Sequence, residues 1–331
     1  MIKETNYNDL MARLNAAMGM DSPEKKETER AYATYKNAFW ENMRTGVPQN
    51  ALKESSSSSG GYLVPNSFES RIIDALENKN IVRKVSHAIK TSQNLKIPVA
   101  VKNCDAIWVK EGEQHFPTEA EFGEVKIEAY KLAVLELVSD ELLEDSGFDL
   151  EGYILDSAVK KIAEAEEETF IKGDGVKKPL GLIHQASVGA VTADSKTVDV
   201  DDMINLEHSL REAYRNRAVW LMSGDVYAML SKILHYKGHR FMELAEDGET
   251  EMLLGHPVYV CNSLDALAPG SKSVLFGDFD RFWIGDRGNR SIKRLSEKYA
   301  DSGQVGFIVS ERVDAKLVDP EAVKVLQTRA E

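Results

Sequence analysis

The sequence predicts an α+β fold, and three observations lead there. Helical and strand-like patterns both occur but do not alternate regularly, which argues against a doubly wound sheet. Over 149–172 apolar residues recur at helical spacing, with Ile154, Ala158, Ile162, Ala165 and Thr169 on one face. Over 124–129 and 312–317 they recur at a spacing of two, the period of a strand with one covered face. At 331 residues the chain exceeds the size at which a single core stops growing, so two lobes are expected.

The elements follow in order. Residues 4–19 carry Tyr7, Leu10, Leu14 and Met18 on one helical stripe. Ser22-Pro23-Glu24 opens a second helix, a capping side chain followed by proline at the first helical position. That helix runs to about Thr45, with Tyr32, Tyr35, Phe39 and Met43 on its stripe and Trp40 beside it. Gly46, Val47 and Pro48 stop it. Neither stripe can be buried by one helix alone. Ser55 to Ser59 with Gly60 and Gly61 is the one low-complexity stretch and reads as a flexible linker. Asn66 or Ser67 then caps a helix with Phe68, Ile72, Ile73 and Leu76 inward. Residues 84–101 are extended, and 102–123 are polar and turn-rich, with Trp108, Phe116 and Phe122 set among charges. From Glu124 the alternation returns, so a long two-stranded excursion is expected from Ile97 to near Leu137.

Ser139 to Asp145 is a short acidic helix. The long helix 149–172 turns Glu151, Lys160, Lys161, Glu164, Glu167 and Glu168 away from its apolar face and stops at Gly173-Asp174-Gly175. Asp199 to Tyr214 is helical, Ala218 to Met222 a strand, and Ser223 opens a further helix. Pro257–Cys261, Ser273–Phe276 and Phe282–Ile284 are short strands. Val305 to Val318 is a strand with Val313, Ala315 and Leu317 opposite Arg312, Asp314 and Lys316. Asp319-Pro320 ends it, and Ala322 to Leu326 is the last strand.

Composition narrows function. No apolar run approaches the ~20 residues of a membrane span, and the first residues lack a signal-peptide core. The formal charge of −13 argues against binding nucleic acid through its phosphates. Residues 1–54 hold 8 basic and 8 acidic side chains, so the imbalance lies in 55–331. Cys104 and Cys261 are too few for a disulfide framework or a zinc site and read as buried thiols. Gly173-Asp174-Gly175 follows a helix, whereas a phosphate loop precedes one. His235 and His239 have metal-ligand spacing but no glutamate and no third ligand. Asp199, Asp201 and Asp202 lack the glycine and terminal glutamate of a calcium loop. Glu166, Glu167 and Glu168 are spread around a helix and form no acid/base pair. Arg287, Arg290, Lys293, Arg294 and Lys298 form the one basic cluster, read as intersubunit salt bridging more than phosphate binding. No catalytic, cofactor-binding or metal residue is assigned, and no cofactor is expected.

Five segments in order resemble the major capsid proteins of tailed bacteriophages, the Hong Kong 97-like family. They are Ser59-Gly60-Gly61-Tyr62-Leu63-Val64-Pro65; Ile97-Pro98; Gly173-Asp174-Gly175 with Lys178-Pro179-Leu180-Gly181-Leu182; Leu254-Gly255-His256-Pro257-Val258; and Phe276-Gly277-Asp278-Phe279. The resemblance implies a non-enzymatic subunit with the Hong Kong 97-like capsid fold. Residues 1–54 then take the place of a scaffolding segment and 55–64 that of a linker and N-arm. Residues 65–194 resemble the peripheral domain, with an extended loop at 97–137 and a spine helix at 149–172. Residues 195–288 resemble the axial domain, and 289–331 return to the peripheral one.

The implied partners are further copies in pentamers and hexamers, with a portal, a maturation protease and decoration proteins. The shell would enclose DNA without binding it specifically. It would be found in the virion, and in the host cytoplasm during assembly, with no membrane association. Some relatives cross-link a loop lysine to an asparagine; Lys102 and Lys110 lie in the matching region, with no partner identified. Two other readings stand beside this one: an encapsulin-type compartment shell, told apart by its genomic neighbours, and a cytosolic enzyme, told apart by monomeric behaviour.

Overall fold

The computed structural model describes residues 23–47, 62–102, 121–145, 147–233, 241–245 and 248–330. The expected helix at 4–19, the serine linker, Cys104, Trp108, Lys110, Phe116, His235 and His239 lie outside the described residues.

In chain order the elements are α1 (Pro23–Thr45), β1 (Tyr62–Leu63), α2 (Asn66–Lys79), α3 (Ile81–Val85), β2 (His87–Thr91), β3 (Leu95–Lys102), β4 (Glu121–Ile127) and β5 (Tyr130–Ser139). Then follow α4 (Asp140–Glu144), α5 (Leu150–Lys172), α6 (Leu182–Gln185), β6 (Ser187–Val191), α7 (Val200–Ser209), α8 (Glu212–Arg215), β7 (Val219–Met222) and α9 (Gly224–Leu230). The remaining strands are β8 (Glu243–Leu244), β9 (Glu251–Leu253), β10 (His256–Val260), β11 (Lys272–Gly277), β12 (Phe282–Arg287), β13 (Ser291–Leu295), β14 (Gln304–Leu317) and β15 (Val323–Gln327), with short 3-10 turns at Phe279–Arg281, Ala300–Ser302 and Pro320–Ala322.

Two compact units divide the chain, and both are discontinuous. The first comprises Met1–Ile72, Leu135–Ala158 and Arg290–Val309. The second comprises Ile73–Val134, Val159–Asn289 and Ser310–Glu331. Helix α5 and strand β14 each contribute residues to both units.

In the first unit β1 pairs antiparallel with β13, which neighbours β14. Phe39, Met43, Phe68, Ile72, Leu150 and Ile154 are fully or almost fully buried. The helix expected from Ser22 is α1; Phe39 and Met43 of its stripe are buried there, and Tyr32 and Tyr35 are half-buried. Ser139 caps α4 by accepting from Leu142 N–H, as the short acidic helix requires.

The second unit is built on a seven-stranded sheet, order β6-β15-β11-β7-β10-β9-β8. Both its faces are covered. Leu221, Leu275, Val323 and Val325 point into one core with Phe170, Ile171 and Phe282. Trp220, Met222, Val274, Phe276 and Leu326 point into another with Met203, Leu206 and Val226. Double burial explains the unbroken apolar runs of β7 and β11. Trp220 stacks on Phe276 with centroids 4.0 Å apart, and its indole N–H donates to Leu253 O at 3.0 Å. The last strand, β15, sits inside this sheet between β6 and β11.

Asp199 and Asp202 form a capping box at the start of α7, which accounts for that acidic run without a metal. Gly173 and Gly175 end α5 as expected. A Cβ on Gly173 would lie 2.1 Å from Pro179 O, and Gly175 has a φ of +77°.

Candidate assembly site

The excursion expected from Ile97 to Leu137 is an antiparallel ribbon of β3 and β4, with Leu95 opposite Ile127, Ile97 opposite Val125 and Val99 opposite Gly123. It forms a two-stranded sheet of its own. The returning strand ends at Ile127, ten residues short of the expected Leu137, because β5 leaves the ribbon and pairs with β14. One ribbon face carries Leu95, Ile97, Val99 and Val125, all half-buried; the other carries Lys96, Pro98, Glu124 and Lys126, all exposed. Lys96 and Glu124 pair at 3.2 Å on the exposed face.

The root of the ribbon is fastened in three ways. Ile127 is buried on β12, where a Cβ at Gly285 would come within 2.6 Å of Ile127 Cγ2. The backbone N–H of Glu128 donates to Asp314 Oδ2 at 2.7 Å, and Ala315 N–H donates to Asp314 Oδ1 at 2.8 Å. Asp314 is completely buried, and that burial raises its pKa although the Glu128 and Ala315 N–H groups pull the other way. Finally, Arg287 of β12 donates to Asn94, one residue before β3.

A buried charge cluster lies behind the root. Arg83 Nε and Nη2 donate to the two oxygens of Glu166, both at 2.6 Å. The same guanidinium reaches Asp286 on β12 at 2.8 and 3.1 Å. Burial by itself would lower the Arg83 pKa; Glu166 and then Asp286 outweigh it and hold the pKa well above its ordinary value. Asn80 caps α3 by accepting from Arg83 N–H at 3.1 Å. The arrangement joins α3, the long helix α5 and β12, and through β12 the ribbon.

The neighbouring carboxylate, Glu167, accepts from Ile81 N–H at 3.0 Å, Ser263 Oγ at 3.1 Å and Cys261 Sγ at 3.5 Å. Burial, reinforced by Glu167, pushes the Cys261 thiol up to about 12, so it is a protonated donor and a poor nucleophile. Cys261 is thus the buried thiol the sequence suggests. Glu167 and Asp314 correct the sequence reading, which turned both away from the apolar faces; both are buried. Helix α5 is enclosed on more than its one apolar stripe, and the buried polar positions carry acids whose partners lie far away in sequence. Nothing in the local pattern marks Glu166 as the partner of Arg83.

Of the basic cluster, Arg287 serves the ribbon root as described. In the first unit Arg290 is buried and Arg294 donates to Met43 O at 3.0 Å, while Lys293 is exposed. Arg294 therefore acts inside its own chain, where the sequence reading placed it between subunits.

Exposed apolar side chains in the first unit include Leu135, Leu137, Leu142 and Tyr153; in the second, Val188 and Val191 lie on the edge strand β6. Among the described residues no group of three or more potential metal ligands gathers, and no helix is long and apolar enough to cross a membrane.

Comparison with known proteins places this geometry. The chain is 26% identical over 262 residues to the major capsid protein of Klebsiella oxytoca phage phiKO2, covering 74% of this chain and 60% of that protein. It is 24% identical over 273 residues to the major capsid protein of Escherichia phage T5, covering 75% and 58%. It thus spans 60% or less of these curated relatives. Among solved structures, the capsid of a native GTA particle matches with a TM-score of 0.66 at 24% identity, covering 75% of this chain and 90% of that one. The chain of Microbacterium phage Oxtober96 matches with a TM-score of 0.59 at 18% identity, covering 76% and 91%. The fold is therefore the expected α+β, Hong Kong 97-like one. The model of the phage capsid family matches residues 60–328, and the chain belongs to that family.

Proposed function

We propose that this chain is the repeating subunit of an icosahedral phage shell, assembling through pentamers and hexamers around DNA that it does not bind specifically. The observation that carries the reading is the β3–β4 ribbon. Its apolar face is only half-covered by its own chain, and an isolated two-stranded ribbon is marginal in water. A neighbouring subunit can complete that cover. Family membership and the likeness to subunits of capsid particles support the reading. Heterologous contacts that close into rings suit a ribbon reaching from one copy to the next. The −13 charge suits a container whose wall does not hold its contents.

On this reading residues 55–64 are the linker and N-arm, β3 and β4 are the strands of the extended loop, and α5 is the spine helix. Residues 195–288 form the axial domain and 289–331 return to the peripheral domain. The subunit resides in the virion after assembly in the host cytoplasm. Its further partners are a portal, a maturation protease and decoration proteins.

Negative-stain microscopy with sedimentation of the purified chain tests this. Pentamers, hexamers or closed shells are the expected species. A single species of about the 36.9 kDa monomer mass across salt and protein concentrations would overturn the proposal.

A further inference from the structure

Helix α1 is held in the first unit by contacts along its whole second half. Phe39 and Met43 are fully buried. Phe39, Trp40 and Phe68 form an edge-to-face series, with centroids 5.1 and 4.9 Å apart. Lys36 of α1 and Arg71 of α2 converge on Glu151, at 3.2 and 2.5 Å. Tyr32 accepts the backbone N–H of Ser67.

The end of the helix is tied by two arginines working in opposite directions. The last carbonyls of a helix have no partner within it. Arg294 supplies one for α1, donating to Met43 O at 3.0 Å. Arg44 of α1 does the same for α4, donating to Leu143 O at 3.1 Å. It also donates to Asp145 O at 2.8 Å and to Phe148 O. Gly46, with a φ of +76°, turns the chain away, and a Cβ there would strike the Arg294 guanidinium at 2.6 Å.

The partners named here, Ser67, Phe68, Leu143, Asp145, Phe148, Glu151 and Arg294, all follow residue 61 in the chain. We propose that the first unit presents a seat that binds α1 as a self-sufficient helical ligand, so that this helix stays in place when the segment 48–61 is cut. The occupant is this chain's own residues 23–45. The seat is formed by Phe68, Leu143, Asp145, Phe148, Glu151 and Arg294. An apolar centre bordered by ion pairs and arginine-to-carbonyl bonds is the chemistry of helix-in-groove recognition. A covalent connector raises the local concentration of such a ligand. The inference holds whether or not the chain forms shells.

The test uses the full chain with a protease recognition sequence replacing Ser55–Ser59. After cutting, the N-terminal fragment is expected to co-elute with the body in native size exclusion and to separate only in denaturant. Met43→Ala and Arg44→Ala, made in the same cuttable chain, should each raise the released fraction about tenfold or more. Circular dichroism of the uncut variants checks folding. If Met43→Ala fails there, Lys36→Glu replaces it. Release of the fragment from the cut but otherwise unchanged chain overturns the proposal. So does retention that none of these substitutions alters.

Discussion

Replacing Arg83 with alanine is expected to cost the second unit roughly 3–5 kcal/mol, the usual penalty for removing one partner of a buried ion pair. The structure sets the size. The Glu166 side chain has no solvent exposure and that of Arg83 has 3%, so water cannot take over the lost bonds. Four donor-acceptor distances of 2.6 to 3.1 Å vanish at once, and Asp286 loses the same partner. For a body of this size the loss corresponds to a fall in melting temperature of roughly 6–20 °C. Calorimetry of dissociated subunits reads it without interference from assembly. A second chain, Arg83→Met with Glu166→Met and Asp286→Asn, removes the charges together and is expected to recover most of the loss, because the penalty comes from stranded charge. A loss below about 1 kcal/mol for Arg83→Ala would refute the reasoning, since water must then reach Glu166. An apolar set no better than the single substitution would place the loss in packing rather than charge.

Other consequences concern the ribbon. Gly285→Ala should cost about 1–3 kcal/mol by forcing the Ile127 Cγ2 methyl aside, read as faster amide exchange over 121–127; unchanged exchange contradicts the close approach. Burial holds the Asp314 pKa above the usual carboxylate range, so ionisation works against the folded state. Its contribution is therefore greatest below the unfolded pKa and is lost as pH rises through the folded one. The stability advantage of the wild-type chain over Asp314→Asn should accordingly shrink as pH rises from about 4, and denaturant titrations showing it grow would reverse the assignment. Trp108→Ala should reduce particle yield by sedimentation far more than it lowers the melting temperature of the subunit; equal losses in both would make Trp108 an ordinary core residue.

The sequence displayed most of the elements because their covers are local in pattern. Proline after serine opened α1, Ser139 and Ser223 marked helix starts, and two-residue alternation over 124–127 matched the burial of β4. Doubly buried strands such as β7 and β11 were visible as short apolar runs. What it hid was long-range. Arg83 and Asp286 are 203 residues apart, Glu128 and Asp314 186, and no local period announces either pair. The end of the ribbon at Ile127 was hidden too. Residues 130–139 keep the same alternation while pairing with β14, and alternation cannot say which strand lies alongside. Arg294 looked like surface charge because its partner is a backbone carbonyl, which leaves no trace in sequence.

The bond from Arg294 to Met43 O spans 251 residues, and this separation bears on synthesis. At about 5–20 residues per second, α1 leaves the ribosome some 10–50 s before β13 exists to hold it. During that interval Phe39 and Met43 lack part of their cover, and a nascent α1 is a target for any passing chaperone. The same delay acts as a timer. The first unit cannot close until Arg290–Val309 has been made, so a truncated chain presents an incomplete unit. Ribosome-bound chains halted before residue 290 should therefore be degraded in the cell faster than chains halted near 331.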